Sequence, residues 1–193
     1  MKKKPIQFRK LGLEMFSIVF AVLLALALDS WQENNKKSNK LNQVLEDIVM
    51  ELNTFTFLDK AIEYNLVMLD TVRSKIKQHE DGKAVEFQGG LGRPEIKSLA
   101  WTTAKTTGLA SEIDRSLLLE LAEIYSEFDR LENILESFAE FNLKRDPDMS
   151  EYTRARYVER YMRSAIFRMQ ELSKKSKAFI EKHKNAPFVR AIA

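Results

Sequence analysis

A long stretch without glycine or proline most constrains how this chain can fold. Neither residue occurs between Gly12 and Gly82, and the whole sequence contains only 6 glycines and 4 prolines. Because these two residues end or kink helices, their absence indicates long helices. One helix over the whole stretch would be ~100 Å long. We therefore expect a break at residues 34–35 or 38–39, where poor helix formers cluster.

The apolar residues beyond that point follow a heptad spacing. They recur in steps of four and three, at Leu41, Leu45, Ile48, Leu52, Phe55, Ile62, Leu66, Leu69 and Ile76. Two positions of this series are not apolar and are occupied by Asp59 and Arg73. This spacing predicts a coiled-coil-like seam. Val44, Leu58 and Val72 widen the stripe beyond a two-stranded seam, so the sequence favours a helical bundle over an isolated rod.

An apolar run at residues 11–28, LGLEMFSIVFAVLLALAL, precedes the seam. As a helix it would cover about 27 Å, which is close to the hydrocarbon thickness of a bilayer. Trp31 follows within one turn, where an indole suits the headgroup region. Five bases lie before the run and three after it, which favours a cytoplasmic N-terminus and an extracytoplasmic domain. The run therefore predicts a single transmembrane helix.

Two other interpretations of this run stay open. The residues Ala25-Leu26-Ala27 fit the cleavage site of a signal peptide, but Glu14 interrupts the run and no cleavage region follows it. The second interpretation is a core helix of a soluble protein, but the basic flanks and Trp31 disfavour it.

Glu14 is the one ionisable residue inside the run. An acid within a membrane is a functional candidate, either as a proton carrier or as a contact between helices. It lies about one turn inside the predicted span, so its side chain can also reach water at the membrane edge. We favour this edge position, or a packing role, over proton transfer.

The segment at residues 79–94, HEDGKAVEFQGGLGRP, holds four of the six glycines and predicts a loop. A short strand is possible at residues 84–88. The GGLGRP run lacks the Lys-Ser/Thr of a phosphate-binding loop, so we do not expect nucleotide binding. Helices are predicted after the loop at residues 95–107, with Gly108 at the C-cap, at 114–144 and at 149–184.

Charge divides unevenly between the last two predicted helices. Residues 112–143 hold nine acids and two bases, whereas residues 144–193 hold thirteen bases and six acids. A basic helix with tyrosine and phenylalanine could bind nucleic acid or anionic lipid. The simpler interpretation, which we favour, is an antiparallel hairpin in which the two helices neutralise each other.

The composition leaves little for catalysis. The chain has no cysteine, which excludes disulfides, thiolate chemistry and cysteine metal sites. Only His79 and His183 are available for a histidine metal site. No paired carboxylates or nucleophile–base spacing indicate an active site. We therefore predict neither an enzyme nor a cofactor.

Two segments carry a resemblance to a known group of proteins. LEMFSIVFAVLLALALDSWQENNKKSNK and LAWTTAKTTGLASEIDRSLLLELAEIY resemble the two signatures of a family of uncharacterised bacterial single-pass membrane proteins. The resemblance covers about a quarter of the chain. It implies a retained anchor in the inner membrane, a helical C-terminal domain and no assigned activity. The matching positions here are Glu14, Trp31, Trp101, Thr103, Ala104, Lys105, Gly108 and Tyr125.

Together these observations predict an all-α protein with one N-terminal transmembrane helix and a bundle of long antiparallel helices. The predicted divisions are a basic tail at residues 1–10, the span at 11–31, a juxtamembrane segment at 32–40, the bundle at 41–186 and a tail at 187–193. We expect a membrane-anchored interaction or assembly protein whose partners are the bilayer and another copy or membrane protein, not nucleic acid. The alternatives are a sensor that binds a small ligand in the bundle, near Trp101 and Lys105, and a proton-coupled subunit that uses Glu14.

Overall fold

The computed structural model describes residues 8–85, 90–144 and 146–191, with the backbone alone at residues 8–15, 17 and 18. Its described part is helical and contains no strand. The helices are α1 (Phe8–Thr56), α2 (Asp59–Glu80), α3 (Leu99–Thr106), α4 (Arg115–Leu143), α5 (Glu151–Lys182) and α6 (Pro187–Arg190), with a 3₁₀ turn at Leu109–Glu112. The chain divides into two compact units, Met1–Gln43 and Val44–Ala193. The all-α prediction is confirmed.

The described residues of the first unit form the N-terminal part of α1. Here the predicted break at residues 34–35 or 38–39 is wrong, because α1 is helical throughout this segment. Asparagine and serine cost only a fraction of a kcal/mol each in a helix, which is too little to end one. Among the residues whose side chains are described, no helix is both long and apolar enough to cross a membrane. The predicted span includes residues 11–15, 17 and 18, whose side chains are not among those described. The span therefore stays a prediction.

From Leu45 onward, the predicted seam runs through the end of α1 and along α2, and it faces the interior of the second unit. Most of its apolar residues are buried, although Leu66 is exposed. A turn at Phe57 and Leu58 separates the two helices, which we did not predict because neither residue breaks helices. Leu58 keeps helical backbone angles and its carbonyl accepts a hydrogen bond from the amide of Ile62. The turn therefore preserves the register of the seam.

Helix α5 lies between α2 and α4 and runs antiparallel to both. Lys182 contacts Glu120 while Arg154 contacts Asn142, so positions that ascend along α5 descend along α4. Along α2, Asp59 contacts Lys177 and Glu80 contacts Tyr152, again in opposite directions. The antiparallel hairpin of acidic α4 and basic α5 is therefore confirmed.

The loop before α3 and the C-terminus depart from the predictions. Ala84 and Val85 have no regular structure, and the rest of the expected strand lies outside the described residues. Helix α3 begins at Leu99, later than expected. The predicted tail contains α6, which starts at Pro187 and buries Val189. Proline at the first position of a helix supplies the required backbone angle, so this short helix can form there.

Candidate functional site

Three elements of the second unit meet around the carboxylate of Glu51, near the end of α1. Its Oε2 accepts a hydrogen bond from the amide of Ala100 at 2.7 Å, and its Oε1 accepts one from the amide of Trp101 at 3.5 Å. The Tyr125 hydroxyl on α4 donates to the same Oε1. We call Glu51, Trp101 and Tyr125 the Glu51 cluster.

Glu51 acts as the N-terminal cap of α3 from a distant part of the sequence. The residue at the local cap position, Ser98, makes no side-chain cap hydrogen bond. The first amides of a helix lack partners within it, and they carry a partial positive charge that favours an anion. Glu51 supplies that anion to Ala100 and Trp101, which are the second and third residues of α3. The start of α3 is thus fixed by a tertiary contact.

Tyr125 is packed inside the cluster. Its ring stacks on Trp101 with centroids 4.9 Å apart and meets Phe55 edge-on at 6.0 Å. Burial, followed by the hydrogen bond to Glu51 and the charge of that carboxylate, raises the pKa of the Tyr125 hydroxyl far above its ordinary value. The phenol therefore keeps its proton and serves Glu51 as a donor.

The other predicted site residues on this segment surround the cluster. The Lys105 ammonium lies over the Trp101 ring, 5.6 Å from the centroid, which is a cation–π distance. Gly108 has a φ of 76° and follows the end of α3, where its amide bonds the Lys105 carbonyl. This left-handed position favours glycine, although the C-cap of α3 is Thr107 and Gly108 is the residue after it. Thr103 is exposed and borders a groove beside Glu51.

The two remaining predicted residues belong to the first unit. Trp31 lies on α1 and is 66% exposed. Glu14 also lies on α1, but its side chain is outside the described residues, so its role stays a prediction. Of the predicted positions, the structure brings together Trp101, Lys105 and Tyr125. Glu51 was missed because nothing in the local sequence indicates that a mid-helix glutamate caps another helix.

A second carboxylate, which is buried, was also missed. Glu127 on α4 is buried and contacts Arg168 at 2.9 Å, Lys175 at 3.2 Å and Arg130 at 3.0 Å. Burial opposes ionisation, but hydrogen bonds from Lys175 and Arg168 outweigh it and hold the pKa of Glu127 below its ordinary value. The charge division between α4 and α5 indicated such pairs without identifying this residue.

The chemistry of the Glu51 cluster is that of a structural junction. The carboxylate is engaged by two amides and a phenol, and the phenol retains its proton. No group of three or more histidine, aspartate or glutamate side chains is placed to hold a metal ion within the described part of the chain.

No protein-family model, curated protein or solved structure matches the chain. The resemblance to a bacterial membrane-protein family therefore stays a prediction.

Proposed function

We propose that this chain is a membrane-anchored interaction or assembly protein, held by one spanning helix at residues 11–31 of α1. One observation carries the proposal: the large apolar side chains from Val19 to Leu28 are 51% to 61% exposed. Burial of each such side chain is worth roughly 1.5–3 kcal/mol, so leaving the whole series in water would be costly. A helix that is apolar on all sides is expected in a membrane or a large core.

The orientation that we propose places the N-terminus in the cytoplasm of a bacterial cell and the second unit outside the inner membrane. It rests on the five bases before the apolar run against three after it. Trp31 supports the boundary on the other side, because an exposed indole one turn beyond the run suits the headgroup region.

Substitution of Leu23 tests the anchor. Leu23→Arg places a charge near the middle of the run, which disfavours insertion by roughly 2.5–3.5 kcal/mol. We expect the variant to be extracted from membranes by alkaline carbonate while the wild type is retained. Leu119→Arg, at an exposed position on α4, is the matched control and should behave as wild type. Extraction of the wild type would contradict the anchor.

The orientation has its own test, because the chain has no cysteine. A single cysteine at exposed Thr71 should react with a membrane-impermeant maleimide in cells whose outer membrane has been permeabilised and whose inner membrane is intact. Labelling only after the inner membrane is lysed would reverse the proposed topology.

An outward-facing apolar stripe supports the interaction role. Met50, Phe57, Tyr64 and Val67 are all exposed, and the first three are seven residues apart. This spacing places them on one side of the α1–α2 segment, opposite the buried seam. The partner that we propose is a second copy or another membrane protein that buries this stripe.

Site-directed crosslinking tests the stripe. A photoreactive residue at Phe57 should give a crosslinked species in membranes, whereas the same residue at exposed Leu119 on α4 should not. Mass spectrometry of the product would identify the partner. A strictly monomeric protein with no crosslinked product would contradict the assembly role.

A groove beside Glu51 favours a second candidate, the sensor. It has a volume of about 330 Å³ and is lined by Val44, Asp47, Glu51, Leu99, Ala100 and Thr103. Apolar walls with the exposed carboxylate of Asp47 suit a small organic cation. A panel of aliphatic amines should then raise the melting temperature of the wild type but not of Asp47→Asn. The absence of any shift would count against this candidate.

A further inference from the structure

One face of α5 carries exposed cations beside an exposed aromatic ring. Arg156, Arg160, Arg163, Phe167 and Lys174 are all exposed and follow helical spacing. We call these five residues the cationic stripe. It lies on the side of α5 away from the buried Met162, Ala165 and Met169.

The charges of this stripe differ from those on the flanks of α5. Lys175 and Lys182, on the flank that faces α4, contact Glu123 and Glu120. By contrast, Arg160 and Arg163 form no ion pair within the described part of the chain.

Two acids lie beside the stripe, Glu159 and the half-buried Glu171, and Glu159 is already engaged. Glu159 is shared between Arg156 at 3.4 Å and Arg73 of α2 at 3.2 Å. Like charges three or four residues apart destabilise a helix. Arg160 lies four residues after Arg156 and three before Arg163, so these two spacings oppose helix stability, and the packing of the bundle does not explain them.

We propose that the cationic stripe binds the anionic phospholipid headgroups of a bilayer surface. A guanidinium presents parallel donors that match phosphate oxygens, and three arginines repeat them along one helix face. Phe167, which is 52% exposed and covered on one ring face by the Arg168 guanidinium at 5.1 Å, adds an apolar contact at the headgroup boundary. Charge complementarity thus identifies the occupant.

This inference rests on the proposed anchor, which favours lipid over other polyanions. An anchored domain meets the bilayer surface at a high effective concentration, so individually weak contacts suffice. Each basic residue near an anionic surface shifts the ratio of surface-bound to free domain by about fivefold. The proposed extracytoplasmic location also separates the stripe from nucleic acid.

A fluorescent probe on the stripe tests the proposal with the full chain. Ser164, which is exposed beside Arg160 and Arg163, can be replaced by cysteine and labelled with an environment-sensitive dye, because the chain has no other cysteine. The labelled protein is reconstituted into vesicles of phosphatidylcholine alone and of phosphatidylcholine with phosphatidylglycerol. We expect a blue-shifted, brighter emission only in the anionic vesicles, and its loss in high salt.

Two double variants complete the test. Arg160→Gln combined with Arg163→Gln should lower the ratio of surface-bound to free domain by about 30-fold. The control, Lys97→Gln combined with Arg115→Gln, removes two exposed charges elsewhere and should change this ratio little. Equal emission in both vesicle types, or no effect of the arginine variants, would overturn the proposal. A stronger response to an added oligonucleotide than to anionic lipid would overturn it in favour of nucleic acid.

Flotation of the same vesicles separates the two proposals. Protein that floats with both vesicle types but shows no lipid-dependent emission retains the anchor and refutes the lipid contact. Protein that fails to float refutes the anchor itself.

Discussion

The side-chain amide of Asn65 exchanges two hydrogen bonds with the backbone of Gly92. Its Nδ2 donates to the Gly92 carbonyl at 2.9 Å, and its Oδ1 accepts from the Gly92 amide at 2.7 Å. The same Nδ2 also contacts the Ala61 carbonyl at 2.8 Å. Asn65 is fully buried, so one polar residue of α2 fixes the loop that leads to α3.

Replacement of Asn65 by alanine should destabilise the protein by about 2 to 4 kcal/mol. The variant leaves the amide and carbonyl of Gly92 without partners, and each unsatisfied buried group costs about 1–3 kcal/mol. Denaturant unfolding measures the change. Asn133→Ala, at an exposed position on α4, should alter stability by less than about 0.5 kcal/mol. Equal effects of the two substitutions would contradict this role of Asn65.

Gly92→Ala should destabilise the protein by about 1 to 3 kcal/mol through a steric clash. A Cβ at this position would lie 2.6 Å from Cδ1 of Tyr64. Because the clash is with one ring, a second substitution, Tyr64→Ala, should recover part of the loss. A double-mutant cycle by chemical unfolding measures this coupling, and additive effects would rule out the clash as the cause.

Glu127→Gln should lower the free energy of unfolding by about 2 to 3 kcal/mol at neutral pH, because Arg168 and Lys175 lose their charged partner. The loss is not larger because both of these side chains are partly exposed to water. The pKa of Glu127 is lowered on folding, so its contribution is present above the ordinary value of 4.5 and is lost as the pH falls through the folded pKa. The variant should therefore lose less stability than the wild type on acidification. Glu136→Gln, at an exposed position, should keep the wild-type profile of unfolding free energy against pH.

Tyr125→Phe should change how the free energy of unfolding falls at alkaline pH. The buried hydroxyl has a raised pKa, so above the ordinary value of 10.0 the unfolded tyrosine ionises while the folded one keeps its proton. Its contribution is thus fully present below pH 10.0 and declines above it. We expect the variant to be about 1 to 2 kcal/mol less stable at neutral pH and to lose less on further alkalinisation. Unfolding experiments across this range, with exposed Tyr157→Phe as control, would show whether the two differ.

Ser176→Ala should stabilise the protein by about 1 kcal/mol. The Ser176 hydroxyl is buried and makes no hydrogen bond within the described part of the chain, so its removal relieves an unsatisfied polar group. Thermal unfolding measures the gain, and exposed Ser164→Ala should be neutral. A loss of stability in Ser176→Ala would mean that the hydroxyl has a partner.

The helices and their pairing could be predicted because the signals are local or cumulative. The run without glycine or proline indicated long helices, and the opposite charges of α4 and α5 indicated a hairpin. Asp114 caps α4 by accepting from the amide of Ser116, which a sequence pattern can suggest. Heptad spacing identified the buried face, although it did not show whether that face packs inside one chain or against another.

The candidate site could be predicted only in part. Trp101, Lys105 and Tyr125 stood out by resemblance, and they do lie together. The residue that organises them, Glu51, is separated from Trp101 by 50 positions and from Tyr125 by 74, and no local pattern links them. The turn at Phe57 likewise has no breaking residue, so it depends on tertiary packing.

The cap that Glu51 provides has a consequence for the order of folding. An eight-residue helix such as α3 is unstable alone, and the side chain of its N-cap residue, Ser98, makes no capping hydrogen bond. We therefore expect α3 to form only once the end of α1 has docked, because Glu51 on α1 supplies the cap and Tyr125 on α4 holds its carboxylate. The presence of this helix reports that these distant parts of the chain have docked, and any partner that recognises α3 would recognise the assembled bundle alone.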